Sequence, residues 1–195
     1  MPAWMRDGDA EPLSLAHDAM HRAKGLTLTE LTIALAVLAI GAGLAWPGFS
    51  SALLRAKGSG ALHLLGSSLA AARMTAVSRQ VPVTVCPSAD GRQCRKDSVW
   101  EDGWIIYRDR LGREQPESTG QILQRATIDR NAFTLRSTAG RHRVRYVPSG
   151  ATATSNLTIL LCERRAQHEV GRVVVSRPGR IRSERPRNPA SGCAF

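Results

Sequence analysis

The sequence has no cysteines paired closely enough along the chain to clip a metal. Cys86, Cys94, Cys162 and Cys193 lack the Cys-x2-Cys spacing of zinc ribbons and fingers, so no metal site is expected. Catalytic constellations are missing as well. Of the five histidines, His17 and His21 lie near the amino terminus, His63 in a helical stretch, and His142 and His168 among arginines, with no cysteine or serine elbow beside any of them. Neither an enzyme nor a cofactor is expected. Aromatic residues make up 5% of the chain and scarcely interleave its basic stretches, which argues against base stacking on aromatic platforms. Acids are the scarce charge: 16 Asp and Glu against 27 Lys and Arg leave a formal net charge of +11 at pH 7. Most of the excess is arginine, which favours a polyanionic partner or an anionic surface over a small neutral substrate.

An apolar run stands out against this basic background. Leu26 to Trp46 is 21 residues, nearly all apolar or small after Glu30, and spans about 31 Å as a helix at ~1.5 Å per residue, enough to cross a bilayer core. Glu30 stands at its entrance, where an ionisable group is costly and points to a function. A secretory signal carries its small-residue cleavage site after the apolar core; here the sharpest processing cue, Lys24-Gly25, comes before it. Residues 1–19 hold Asp7, Asp9, Glu11 and Asp18 against one arginine, whereas "MHRAKG" from Met20 to Gly25 is short and basic. Translation is therefore expected to start at Met20. Pro47 closes the run and removes one backbone donor, which kinks or loosens a helix.

Beyond the run there is room for one ordinary domain. Leu62, Leu65, Leu69, Ala72 and Ala76 recur at steps of three and four, which predicts an amphipathic helix over residues 47–80 with one face in the core. Gly58, Gly60 and Gly66 weaken its interior and predict bending or fraying near Lys57 to Gly60. Past Gln80 the period becomes alternating: "VPVTVC" places Val81, Val83 and Val85 on one face of a strand. The units "GWIIYRD", "ATIDRNAFTLR", "RVRYV", "LTILLC" and "GRVVVS" are short, β-branched or aromatic, and separated by turn residues. Residues 81–195 thus read as a mostly antiparallel sheet domain with no βαβ repeat, and the whole as an α+β chain. Asp90-Gly91 is a turn signal between Cys86 and Cys94, so a disulfide there closes a small hairpin loop. Cys162 with Cys193 would pin the tail to "LTILLC" and restrict the unfolded chain by ~3 to 4 kcal/mol. An even cysteine count downstream of a membrane signal fits an oxidising compartment.

The stretch Lys24-Gly25-Leu26-Thr27-Leu28-Thr29-Glu30 followed by the apolar run resembles a type IV prepilin. The resemblance implies residues 1–25 as leader, cleavage between Gly25 and Leu26 by a prepilin peptidase, N-methylation of Leu26, and residues 26–46 as a helix that spans the membrane and later lines a filament core. It also implies that Glu30 pairs with the terminal amine of a neighbouring subunit. Leu26 departs from the usual phenylalanine; Glu30 and Pro47 match. Further along, "VTVCPSADGRQC", "WEDGWIIYRD", "RYVPSGATAT", "LTILLC" and "GRVVVSRPGRIR" resemble the GspH/FimT family of minor pilins and pseudopilins. That branch implies a long N-terminal helix packed on a β-sandwich-like domain, a single-pass inner-membrane anchor with the domain in the periplasm, and other major and minor pilins or pseudopilins as partners.

The arginines separate two functions within such a family. Arg172, Arg177, Arg180, Arg182, Arg185 and Arg187 follow Gly171 with Glu184 as the sole acid, and Arg136, Arg141, Arg143 and Arg145 form a second cluster free of acids. The two clusters are expected to share a face. In Gly179-Arg180-Ile181-Arg182 the alternation puts both guanidinium groups on one side of an extended chain, presented by a turn at Pro178-Gly179. This Gly-Arg-x-Arg element resembles the one through which FimT-type minor pilins are thought to bind DNA in natural transformation. The resemblance implies a subunit near a pilus tip that binds double-stranded DNA through phosphates, without sequence preference. The other reading is a structural minor pseudopilin of a type II secretion system with no DNA binding.

Overall fold

A computed structural model describes residues 27–186 and residue 193. The chain divides into two compact units, residues 1–46 and 47–195. Helix α1 runs Leu28–Arg79. Thr27 Oγ1 accepts the Glu30 backbone N–H at 3.2 Å, so the Thr-x-x-Glu spacing caps the helix start and sets the acid in the first turn, facing the positive end of the helix dipole. In the first unit, Leu28–Trp46 is 19 residues with a mean hydropathy of 2.0 and none of it is buried in the chain. It is long and apolar enough to cross a membrane. At the other end Gln80 enters the left-handed region with φ 53°, and its Nε2 donates to Val77 O at 2.7 Å, which satisfies a terminal carbonyl.

In the second unit the predicted stripe is the buried one: Leu65, Leu69, Ala72 and Ala76 are fully covered and Leu62 nearly so. The helix is assigned without a break through Lys57 to Gly60. Gly58 is a packing contact, because a Cβ there would lie 2.7 Å from Val170 Cγ1 and 3.4 Å from Phe133 Cε1. Close approach to the sheet offsets what the glycine loses in helix propensity.

Eight strands follow: β1 Val83–Pro87, β2 Trp104–Arg108, β3 Ile122–Ala126, β4 Phe133–Ser137, β5 Val144–Tyr146, β6 Leu157–Glu163, β7 Glu169–Val175 and β8 Ile181–Glu184. They form two four-stranded sheets, ordered β3-β2-β1-β5 and β4-β6-β7-β8, with every pairing antiparallel. The main core joins the α1 stripe to Val83, Val85, Trp104, Ile106 and Tyr146 of the first sheet and Phe133, Leu157, Ile159, Leu161, Val173 and Val175 of the second. Each fully buried large side chain contributes about 1.5–3 kcal/mol relative to exposure.

The strands depart from the sequence reading in three places. β1 is buried on both faces, because a smaller cluster of Cys86, Cys94, Ile105 and Tyr107, with Ile122 against it, covers the side opposite the main core. "ATIDRNAFTLR" is not one strand: β3 ends at Ala126, a turn follows in which Phe133 N–H reaches back to Asp129 O at 3.1 Å, and β4 joins the other sheet. The basic tail is also not all tail, since Ile181–Glu184 pairs with β7 in the register Val174↔Arg182 and Val175↔Ile181. The disulfides join Cys86 to Cys94 and Cys162 to Cys193, with Cα atoms 5.5 and 6.0 Å apart. These are the pairs that sequence neighbourhood predicts.

Candidate nucleic-acid interface

The β7–β8 hairpin presents the arginines that precede the tail. Gly179 N–H donates to Ser176 O at 2.8 Å and Ser176 N–H to Arg180 O at 2.9 Å. The central residues of the turn are thus Arg177 and Pro178, one position earlier than the sequence indicates, and Gly179 takes φ +80°, which favours glycine. A Cβ at residue 179 would collide with the Gly150 carbonyl oxygen. That oxygen belongs to the loop after β5, which holds the hairpin from the side. Thr152 N–H and Oγ1 donate to Arg177 O at 2.9 and 3.1 Å, and Arg177 N–H donates to Asn156 Oδ1 at 2.9 Å. From the helix, Arg73 Nε donates to Gly150 O at 2.9 Å. The turn is therefore braced by Thr152 and Asn156, whose hydrogen bonds use its main-chain groups and leave its own arginine side chains uncommitted.

Arg177, Arg180 and Arg182 are exposed and form no ion pair among the described residues. Arg141 comes to the same place: its Nη1 donates to Asn156 O at 2.6 Å, one residue that also holds Arg177. The rest of the second cluster is paired with acids. Arg145 Nε binds Asp109 Oδ2 at 2.9 Å, with the acid side chain 3% exposed. Arg143 Nη2 binds Glu114 Oε1 at 2.6 Å, and the guanidinium holds that carboxyl below its usual range. Arg136 Nη2 binds buried Glu101 at 2.7 Å. Arg172 is held by Glu169 at 2.6 Å, which raises the guanidinium further. Arg185 Nη2 donates to Ser59 Oγ at 3.0 Å. Shared occupancy of one face thus holds for Arg141 with the hairpin, while Arg143 and Arg145 are neutralised by acids far away in sequence. Arg187, the Gly25–Leu26 junction and Met20 lie outside the described residues.

Arg73, Thr152 and Asn156 are the contributors that sequence reasoning missed. Arg73 sits on the exposed side of an amphipathic helix and nothing in its local sequence marks it; Thr152 and Asn156 act through bonds to a turn more than twenty residues away.

The model of the family described as type II transport protein GspH matches residues 61–179. The chain belongs to the GspH family. A prokaryotic N-terminal methylation motif matches residues 20–46, so this is a minor pilin or pseudopilin of GspH/FimT type. The GspH match ends at Gly179, and Arg180 and Arg182 fall beyond it. Among solved structures, the chain is similar to the type IV minor pilin FimU of Pseudomonas aeruginosa, with a TM-score of 0.54 and 18% identity over 71% of this chain and 96% of that one. A second crystal form of FimU gives 0.52 and 16% over 69% and 98%. The minor pseudopilin EpsH from the type 2 secretion system of Vibrio cholerae gives 0.48 and 12% over 68% and 99%. At such identities FimU shares the fold, a helix packed on two antiparallel sheets. No curated protein sequence matches significantly.

Proposed function

We propose that this GspH-family subunit enters a pilus-like filament, near its tip, and binds DNA without sequence preference through the β7–β8 hairpin for DNA uptake in natural transformation. The observation that carries the reading is the contrast in pairing: Arg177, Arg180 and Arg182 are exposed and form no ion pair among the described residues, whereas four other arginines of the two clusters are engaged by carboxylates. Unpaired guanidinium groups on a rigid edge suit bidentate contact to phosphate oxygens and carry a counterion-release signature. Arg141 borders the site, and Arg185 and Arg187 follow it. Arg143 and Arg145 stand outside it.

The same reading assigns the amino terminus. Prepilin peptidase cuts after Gly25, Leu26 is methylated, and Glu30 pairs with a neighbour's terminal amine, an ion pair that stabilises both charges where neither could sit alone. The apolar helix anchors the subunit in the inner membrane, and the disulfides support a periplasmic domain. A structural pseudopilin of type II secretion is the second reading, favoured by the description of the matched family.

The two part in a polarisation titration of labelled DNA with the full chain in neutral detergent across salt. DNA binding predicts micromolar affinity at low salt and a steep negative slope of log affinity on log salt. Absence of binding at low salt selects the secretion reading.

A further inference from the structure

Beside the hairpin, α1 and β8 enclose an open cleft of about 480 Å³, to which the helix contributes Ala70, Arg73, Met74 and Val77 and the hairpin Arg180 and Ile181. No carboxylate among the described residues lines it. The floor is apolar and uncovered, with Met74 67% and Val77 40% exposed. Arg73 at its edge is held in place. Its Nε donates to Gly150 O at 2.9 Å, and a Cβ would approach that nitrogen to 3.3 Å from Gly150 and 3.0 Å from Gly179. Both glycines have positive φ, +81° and +80°, so together they seat the guanidinium. Its terminal nitrogens make no hydrogen bond among the described residues.

Two cations, no acid and an apolar floor define the occupant by its chemistry. A polyanion that presents a flat, weakly polar group beside each phosphate satisfies all three. The cleft ends at the turn that carries Arg177 and Arg180, so a strand held there by its phosphates delivers its next nucleotide to the floor. An intact duplex keeps its bases stacked and leaves Met74 and Val77 wet; an unpaired strand can turn a base onto them. A thioether and guanidinium planes both pack on π faces, and every base offers one, so the contact needs no sequence preference and no aromatic side chain.

The geometry points to this cleft as the seat of one unstacked nucleotide, its phosphate between Arg73 and Arg180 and its base on Met74 and Val77, which makes DNA with an unpaired strand the preferred ligand. The inference rests on the DNA-binding reading above. Its test compares a short labelled oligonucleotide, single-stranded or annealed to its complement, in polarisation titrations with the full chain in neutral detergent at low salt. The single strand is expected to bind tighter by about fivefold or more, as covering roughly 40 Å² of apolar floor with one base yields. Met74→Ser with Val77→Ser removes that advantage and leaves duplex affinity and the thermal midpoint unchanged. Arg73→Gln removes it as well. Equal binding of the two forms by the unaltered chain overturns the inference and leaves the DNA-binding reading standing. So does an advantage that survives in the Met74→Ser, Val77→Ser protein, the outcome for a cleft that serves an acidic segment of another subunit. Failure of both forms to bind the unaltered chain overturns the DNA-binding reading itself.

Discussion

Residues 136–145 and residues 177–182 are both rich in arginine, yet three of the four arginines in the first stretch are paired with acids of the domain while the second stretch keeps its charge at the surface. Arg136, Arg143 and Arg145 reach Glu101, Glu114 and Asp109, three acids set in the segment between β1 and β3. Arg177, Arg180 and Arg182 form no ion pair among the described residues; the β7–β8 turn is walled by Gly150, Thr152, Asn156 and Arg73, which offer main-chain or neutral groups and another cation. A count of arginines therefore says little about a binding surface. The placement of the few carboxylates decides which cations remain for a partner.

That contrast can be broken from either side. The largest effect is expected inside: Arg145→Gln leaves the buried Asp109 without its cation and destabilises the fold by about 3 kcal/mol, read as a lower denaturant midpoint, with DNA affinity per folded molecule unchanged. Gly179→Ala comes next. The substituted residue must hold a left-handed backbone and meet the Gly150 carbonyl, which costs about 2 kcal/mol and displaces Arg177 and Arg180, so affinity and the thermal midpoint fall together.

The smallest effect concerns acid. Arg143 depresses the Glu114 carboxyl in the folded chain, so their pairing is present above the unfolded carboxylate value and is lost as pH falls through the folded one. Protonation frees Arg143, and DNA affinity rises modestly at the acid end. Glu114→Gln starts at that higher affinity, and its difference from the unaltered protein closes as pH falls.

Much of the fold can be read from local pattern. Leu157 to Cys162 and Gly171 to Val175 are runs that only a buried strand explains, and the Leu62 to Ala76 stripe is the helix face that the core covers. β3 escapes such reading because it is an edge strand with three exposed residues in five, so it lacks the alternation that a half-buried strand imposes. β8 escapes for the same reason: its three exposed residues look like tail, and only pairing with β7 makes them a strand. At the site, the Gly179-Arg180-Ile181-Arg182 element is visible in sequence, but its setting is not. Arg145 lies 36 residues from Asp109 and Arg73 lies 77 from Gly150, separations at which only the folded chain brings partners together.

The central claim is that the surface arginines, and not the internally paired ones, meet DNA. It is tested most directly by salt-titrated polarisation with duplex DNA on Arg180→Gln, Arg182→Gln beside Arg143→Gln. The double substitution is predicted to weaken binding at least about tenfold at low salt and to lower the salt slope by about two, one for each phosphate no longer neutralised, while Arg143→Gln leaves both within error. Equal losses in the two proteins would contradict the account, since binding would then follow net charge rather than the hairpin.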